Sequence, residues 1–454
     1  SLDGLFVEML VLAPLIGVAS WMLDGIFIGA TRTREMRIAM IQSVAVYVVA
    51  LLVLPPLMGN HGLWAALMIL NATRGLAMAR LYPRVERAAQ APDANAMAQL
   101  ADLLATAERP VAIIGGAGWD ERAAEDIAAW ADRVGVPLVA AFRRQDAVPN
   151  DCPAYAGNLG YGPNPRLVAR VKAADLLLVV GPRLGEATTD GYSLITPDHP
   201  GQRLVHVHPD ANELGMTYRT DFAICAGMAE FAEALLAVDG SAHPTAPEAR
   251  ADYEAWTTPT PRDGVALDLG PCVATMRERL PADTIICNGA GNFSGWWHRY
   301  WRYAGPGTQL APTSGAMGYG VPAAVAASLR RPDRTVVAVA GDGDFLMNGQ
   351  ELATAVQHGA SLLVIVVDNG AYGTIRMHQE REFPRRVSAT RLINPDFAAL
   401  ARAFGCWSET VEATADFAPA LDRAVAQGGV RLLHLKTDVE VITAATTLEA
   451  IRNR

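Results

Sequence analysis

The stretch VVAVAGDGDFLMNGQELATAVQHGASLLVIVVDNGAYG, residues 336–373, decides the fold. An apolar run ends in Gly341-Asp342-Gly343. A helix-forming segment follows, starting near Phe345, and a second apolar run ends in Asp368-Asn369-Gly370. Read as strand, turn, helix and strand, this unit sets its two strands parallel, so both carboxyl ends open on one edge of a sheet. Asp342 then ends the first strand and Asn369 the second, and both offer hard oxygen ligands. A carboxylate, an amide oxygen and a backbone carbonyl suit Mg²⁺, which takes near-octahedral oxygen and shares its shell with water and phosphate. Gly341 and Gly343 let the backbone come close to a phosphate, and the helix aims its N–H groups at that anion. The chemistry implied is a Mg²⁺-bound diphosphate. The plain alternative is an ordinary βαβ unit with turn residues at its ends.

Outward from this unit, helix and strand alternate from about Pro92 onward. RPVAIIGGAG (109–118) reads as a buried strand meeting a glycine turn, and RAAEDIAAWADRVG (122–135) as an amphipathic helix ending at a glycine. VPLVAAF (136–142), ADLLLVVGPRLG (174–185) and QRLVHVHPD (202–210) read as further strands. Short apolar runs between helices predict parallel sheets covered on both faces. The fold class is therefore α/β, with a Rossmann-like domain over 91–240, a Pro- and Thr-rich linker over 241–264 and a second such domain over 265–454. The turn GGAG (115–118) lacks the full G-x-G-x-x-G spacing of a dinucleotide site, so the first domain reads as a spacer or, alternatively, a nucleotide binder.

Residues 1–90 differ in kind. Residues 38–58 carry no charge and match the ~20 residues of a spanning helix. Residues 5–30, interrupted by Glu8 and Asp24, and 62–79, containing Arg74, are weaker spans, and ionisable groups in such segments face a bundle or cavity. Arg32, Arg34 and Arg37 follow the first span and Arg80, Arg84 and Arg87 the third, while GNHG between the second and third has no Lys or Arg. The positive-inside rule places both basic flanks, and hence the α/β domains, in the cytoplasm. The alternative is a buried helical hairpin of a soluble protein. A net charge of −9 argues against a general nucleic-acid binder. Five scattered cysteines without a C-x-x-C give neither a disulfide framework nor a zinc site and suit a reducing compartment.

At the G-D-G and distal D-N-G residues the chain resembles the thiamine-diphosphate (ThDP) enzymes, acetolactate-synthase-like and benzoylformate-decarboxylase-like members above all, over about residues 95–450. The resemblance implies that Asp342, Asn369 and the Ala371 carbonyl hold Mg²⁺; the family's distal pair is Asn-Asn, and here Asp368 precedes Asn369. LAPTSGAMGYGVPAA (310–324) resembles the segment that cradles the cofactor's two rings, with Gly315 facing the 4′-amino group and Met317 as a wedge; plain core packing is the alternative for Met317. NGAGNFSGWWHRYW (288–301) lies where relatives bind the diphosphate. Asn292 and Phe293, with Gly341, Gly343 and Asp344, complete the candidate cofactor-binding residues. The aromatics of that segment read equally as a subunit contact. Glu351 reads as structural, His358 as a helix C-cap, and His378, Glu380 and Arg381 as a mobile cover or a solvated charge run.

The resemblance implies decarboxylation or carboligation of 2-oxo acids such as pyruvate, with the hard chemistry supplied by the cofactor. The family's activating glutamate belongs to a pyrimidine-binding domain, normally N-terminal and usually from a neighbouring subunit. No residue here, Glu8 included, matches it. Three accounts follow: half of a heteromeric enzyme, a silent fusion or deletion product, or a cofactor-binding module. FAD use is open. Over residues 10–85, ASWMLDGIFIGATRTREMR (19–37) and GNHGLWAAL (59–67) resemble the C-terminal end of a multidrug and toxic compound extrusion (MATE) transporter. Three helices of such a protein cannot form its transport path, so no transport is expected.

Overall fold

The computed structural model describes residues 17, 18, 20–24, 33–85, 91–239 and 243–453. It contains two units, residues 1–88 and 89–454.

In the first unit, helices Thr33–Met58 and Asn60–Val85 meet at Gly59, whose φ of +56° suits a residue without a Cβ. Within them, Met36–Met58 and Asn60–Leu81 are long and apolar enough to cross a membrane. Their large side chains point mostly outward, as Leu52 and Leu57 do at 72% and 76% exposed. The expected first span over 5–30 falls mostly outside the described residues, as do Glu8, Arg32 and Arg87. Asp24 is described, and it pairs with Arg74 at 2.6 Å. Two of the charges that interrupt the apolar segments, Asp24 and Arg74, thus neutralise each other.

In the second unit, β1 (Pro110–Ile114), β2 (Leu138–Ala140), β3 (Tyr155–Asn158), β4 (Leu176–Val180), β5 (Arg203–His208) and β6 (Phe222–Cys225) form one sheet in the order 3-2-1-4-5-6. All its described pairings are parallel. Apolar side chains are buried on both faces, so β1 and β4 are apolar throughout rather than alternating. The helix Glu121–Val134 starts on the Asp120 side chain and ends on Gly135 at φ +75°, as the sequence predicts.

The second sheet holds β7 (Ile285–Asn288), β8 (Gln309–Leu310), β9 (Val336–Gly341), β10 (Leu362–Asp368), β11 (Trp407–Val411) and β12 (Val430–Lys436). The order is 11-12-10-9-7-8, again with parallel pairings. From β7 the chain adds β8 on one side and β9 on the other. The carboxyl ends of β7 and β9 therefore flank the switch point, where open α/β sheets leave a crevice.

Two expectations are corrected. The stretch 241–264 is not a plain linker, because Thr245–Thr257 is a helix. Ala246, Ala249, Tyr253 and Thr257 recur at helical spacing and are buried, and Tyr253 meets Tyr155 edge-on at 5.1 Å. The aromatics after β7 are core, not a subunit contact: Trp296, Trp297, Tyr300, Trp301 and Tyr303 are each at most 5% exposed.

The two domains of this unit share a buried polar seam. Gln145 donates from its side chain to the His298 carbonyl at 2.7 Å and exchanges hydrogen bonds with the Gln309 side chain. The Asp146 carboxylate accepts from the Gly307 N–H at 3.0 Å, and Asn150 pairs with the backbone of Tyr303 at 2.8 and 3.0 Å. Arg143, at φ +55°, donates to the Pro312 carbonyl. The segment after β2 thereby borders β8 and the glycine-rich stretch that follows it.

Candidate functional site

One pocket lies at the carboxyl ends of β7, β9 and β10. Its lining includes Asn292, Phe293, Met317, Gly341, Asp342, Gly343, Asp344, Asn369 and Ala371. Gly315 (φ +77°) lies outside that lining.

Asp342 stands first after β9, where the helix Asp342–Asn348 begins, three residues before the expected start. The strand register pairs Val367 with Gly341, so Asp368 and Asp342 come next to each other. Asp342 is 4% exposed. It accepts the Gly343 N–H at 2.9 Å and one amide hydrogen of Asn394 at 2.8 Å. Burial, with the neighbouring Asp368 carboxylate, pushes its carboxyl up to about 6. Burial raises Asp368 too, yet hydrogen bonds from His434 and Asn394 outweigh it and hold that carboxyl below its ordinary value.

Gly370, at φ +64°, turns the chain after β10. Asn369 closes the turn by accepting the Ala371 N–H at 3.1 Å, and a bridge from Ala371 to Arg391 brings residues 390–394 alongside. Asp342, Asn369 and Ala371 thus line one pocket and could offer it a carboxylate, an amide and a peptide oxygen. Among the described residues no group of three His, Cys, Asp or Glu side chains could hold a metal. The donor set here is instead mixed oxygen, suited to a hard cation that retains water or phosphate ligands. A cation also answers the charge of two adjacent carboxylates, Asp342 buried and Asp368 partly so.

Several predicted residues have other partners than expected. A Cβ on Gly341 would come within 2.7 Å of the Phe293 ring, and one on Gly343 within 2.6 Å of the Tyr372 ring. Both glycines therefore make room for aromatic walls. The Asn292 side chain donates to the Ile442 carbonyl at 3.2 Å and accepts from Thr374 at 2.9 Å, so protein partners already occupy its amide. Asp344 accepts the N–H groups of Gly318 at 2.8 Å and Ala290 at 3.1 Å, and burial pushes its carboxyl up to about 6. It holds the 310–324 segment and the loop after β7 together. Met317, at 37% exposed, is not plain core.

His358 is the C-cap of the helix Glu351–Gln357, and Glu351 accepts from Thr354 within that helix. Glu380 is no member of a solvated run: it is 1% exposed and pairs with Arg376 and Arg452. His378 and Arg381 are exposed. In the first α/β domain, a Cβ on Gly116 would fall on the Gly181 carbonyl, so close packing of two strand ends explains that turn's glycines. The sequence reading missed Asn394 and His434. Only the odd Asp368 before Asn369 signalled that a partner stood nearby.

Residues 97–235 match the family described as the central domain of thiamine pyrophosphate enzymes, and residues 289–435 match their C-terminal TPP binding domain. The large subunit of acetolactate synthase isozyme 2 from Escherichia coli (strain K12) is 28% identical over 363 residues, covering 79% of this chain and 65% of that protein. Sulfoacetaldehyde acetyltransferase from Castellaniella defragrans is 28% identical over 360 residues, 73% of this chain and 60% of that protein. The acetolactate synthase large subunit of Parasynechococcus marenigrum (strain WH8102) is 30% identical over 319 residues, 68% of this chain and 51% of that protein. The matches span between half and two thirds of these relatives' length.

Proposed function

Because the chain carries the central domain and the C-terminal TPP-binding domain of thiamine pyrophosphate enzymes, we propose that it holds ThDP and Mg²⁺ for carboligation or decarboxylation of small 2-oxo acids such as pyruvate. The observation carrying this reading is the convergence of Asp342, Asn369 and Ala371 with Gly341, Gly343, Phe293 and Met317 in one pocket. Asp342, Asn369 and the Ala371 carbonyl would hold the cation. The backbone at Gly341–Asp344 would receive the diphosphate, with Phe293 and Tyr372 walling it in, while Asn292, bonded to Thr374 by both backbone and side chain, would hold the wall in place. Met317 and Gly315 would meet the rings, and Asp344 keeps the loops around them in place. When bound, the cofactor supplies the nucleophilic carbon and the electron sink for breaking or making a bond beside a carbonyl.

A second domain closes over the pocket. Met317, Tyr319, Leu346, Met347 and Ile375 are 37–54% exposed beside it, an apolar surface suited to burial against another domain. We assign that place to a pyrimidine-binding domain carrying the activating glutamate, supplied by a further subunit or another part of the polypeptide. FAD is given no role. Residues 1–90 attach the enzyme to a membrane with the α/β domains on its cytoplasmic side, and their MATE-like sequence implies no transport.

The test is calorimetric titration of ThDP into the full chain, with Mg²⁺ and with chelator. Mg²⁺-dependent binding that disappears in Asp342→Ala is expected. Binding indifferent to both chelator and substitution would remove the assignment.

A further inference from the structure

Behind Asp342 runs a chain of side chains from three separate parts of the sequence. Asn394 spends both hydrogens of its amide on carboxylates, Asp342 at 2.8 Å and Asp368 at 2.7 Å. An amide bound this way can neither rotate nor exchange its ends without facing an oxygen toward an oxygen. Asp368 fills its other positions with the Gly370 N–H at 3.0 Å and His434 Nε2 at 2.9 Å. His434 is 2% exposed and lies edge-on to Phe397, ring centres 5.2 Å apart. It stands on β12 opposite Val366, so its side chain is on the same sheet face as Asp368 and one diagonal step away.

One Asp368 oxygen accepts both the Asn394 amide and the Gly370 N–H, and the other meets the His434 ring. An asparagine could keep the first two only by turning its N–H₂ to His434, whose Nε2 would then have to accept. The carboxylate accepts from the ring N–H instead, so the aspartate and His434 act as a pair. Asp342, held at one oxygen by Asn394 and at the other by Gly343, has its orientation fixed before any cation arrives.

We propose that His434, Asp368 and Asn394 are positioning residues that preset Asp342 for the divalent cation, an inference that rests on the reading of Asp342 as a metal ligand. Groups behind a ligand that fix its orientation typically govern metal affinity by about 10–100-fold. The set reaches from the pocket through β10 to β12, and none of the three enters the pocket lining.

The test measures the Mg²⁺ concentration that half-saturates ThDP binding in the full chain, followed by calorimetry at fixed cofactor. Wild type is compared with His434→Leu, His434→Gln and Asn394→Ala. Glutamine can place an amide N–H near the position of Nε2, whereas leucine cannot. We expect His434→Leu and Asn394→Ala to need roughly 10–100-fold more Mg²⁺, with ThDP affinity at saturating Mg²⁺ little changed and His434→Gln near wild type. A loss of folding alone would lower the fraction of binding-competent protein without moving the Mg²⁺ midpoint. Asn394 is only partly buried, so its variant reports even where a change at His434 prevents folding. A wild-type midpoint retained in Asn394→Ala and in every variant that folds would overturn the proposal while leaving the metal site standing. Wild-type chain whose ThDP binding ignores Mg²⁺ would overturn the metal-site reading, and this inference with it.

Discussion

The glycine at 289 shows how closely single residues are set in this pocket. A Cβ there would fall on the Asp344 carboxylate, which receives Ala290 and Gly318. Gly289→Ala should expel that carboxylate, cost about 2 kcal/mol in denaturant unfolding and loosen ThDP binding further than stability alone explains. Residue-scale reading from sequence anticipates that Asp342 and Asn369 line one pocket, because one βαβ unit carries both to the same sheet edge. It failed for His434, which reaches Asp368 because β12 lies beside β10, and for Asn394, which the Ala371–Arg391 bridge brings alongside. It also misjudged Glu380, whose partner Arg452 is distant in sequence. Asp175 permits a pH test at this scale. Burial would raise its carboxyl, but the N–H groups of Glu108 and Arg109, at 2.6 and 2.8 Å, hold it below the ordinary value. A depressed folded value stabilises the protein above the unfolded one, about 3.9, and that share is lost as pH falls through the folded value. Asp175→Asn should therefore lower stability at neutral pH and remove part of the acid-side decline, as seen in urea midpoints measured against pH.

Among elements, the buried strands declared themselves as apolar runs: β1, β4, β5, β9 and β10 all fall where the sequence places them. Short strands mostly did not, β2 within VPLVAAF excepted. β3, β6 and β8 hold two to four residues, too few for a periodic signal. The helix Thr245–Thr257 was hidden by its proline and threonines, although Ala246, Ala249 and Tyr253 line one face. Tyr253 lies against Tyr155 and under the guanidinium of Arg250. Tyr253→Ala should destabilise the protein by about 3 kcal/mol, read from chemical denaturation. A surface linker would show almost no change.

For the whole molecule, two parallel sheets in sequence were legible because strands and helices alternate, and the strand orders were not, since periodicity carries no neighbour information. The apolar helices predict a simple partition: full-length chain should sediment with membranes and resist alkaline wash, and removal of residues 1–88 should release it. The seam between the α/β domains has its own measure. Gln145→Ala would strand the His298 carbonyl and the Gln309 amide and should cost about 2 kcal/mol. The seam also bears on how the protein can be divided. β8 is an edge strand of two residues, and the polar groups around it are met by Gln145, Asp146 and Asn150 from the other domain. Produced alone, the C-terminal domain would bare that margin to any passing strand, an invitation to self-association. Evolution or engineering could not readily discard its neighbour.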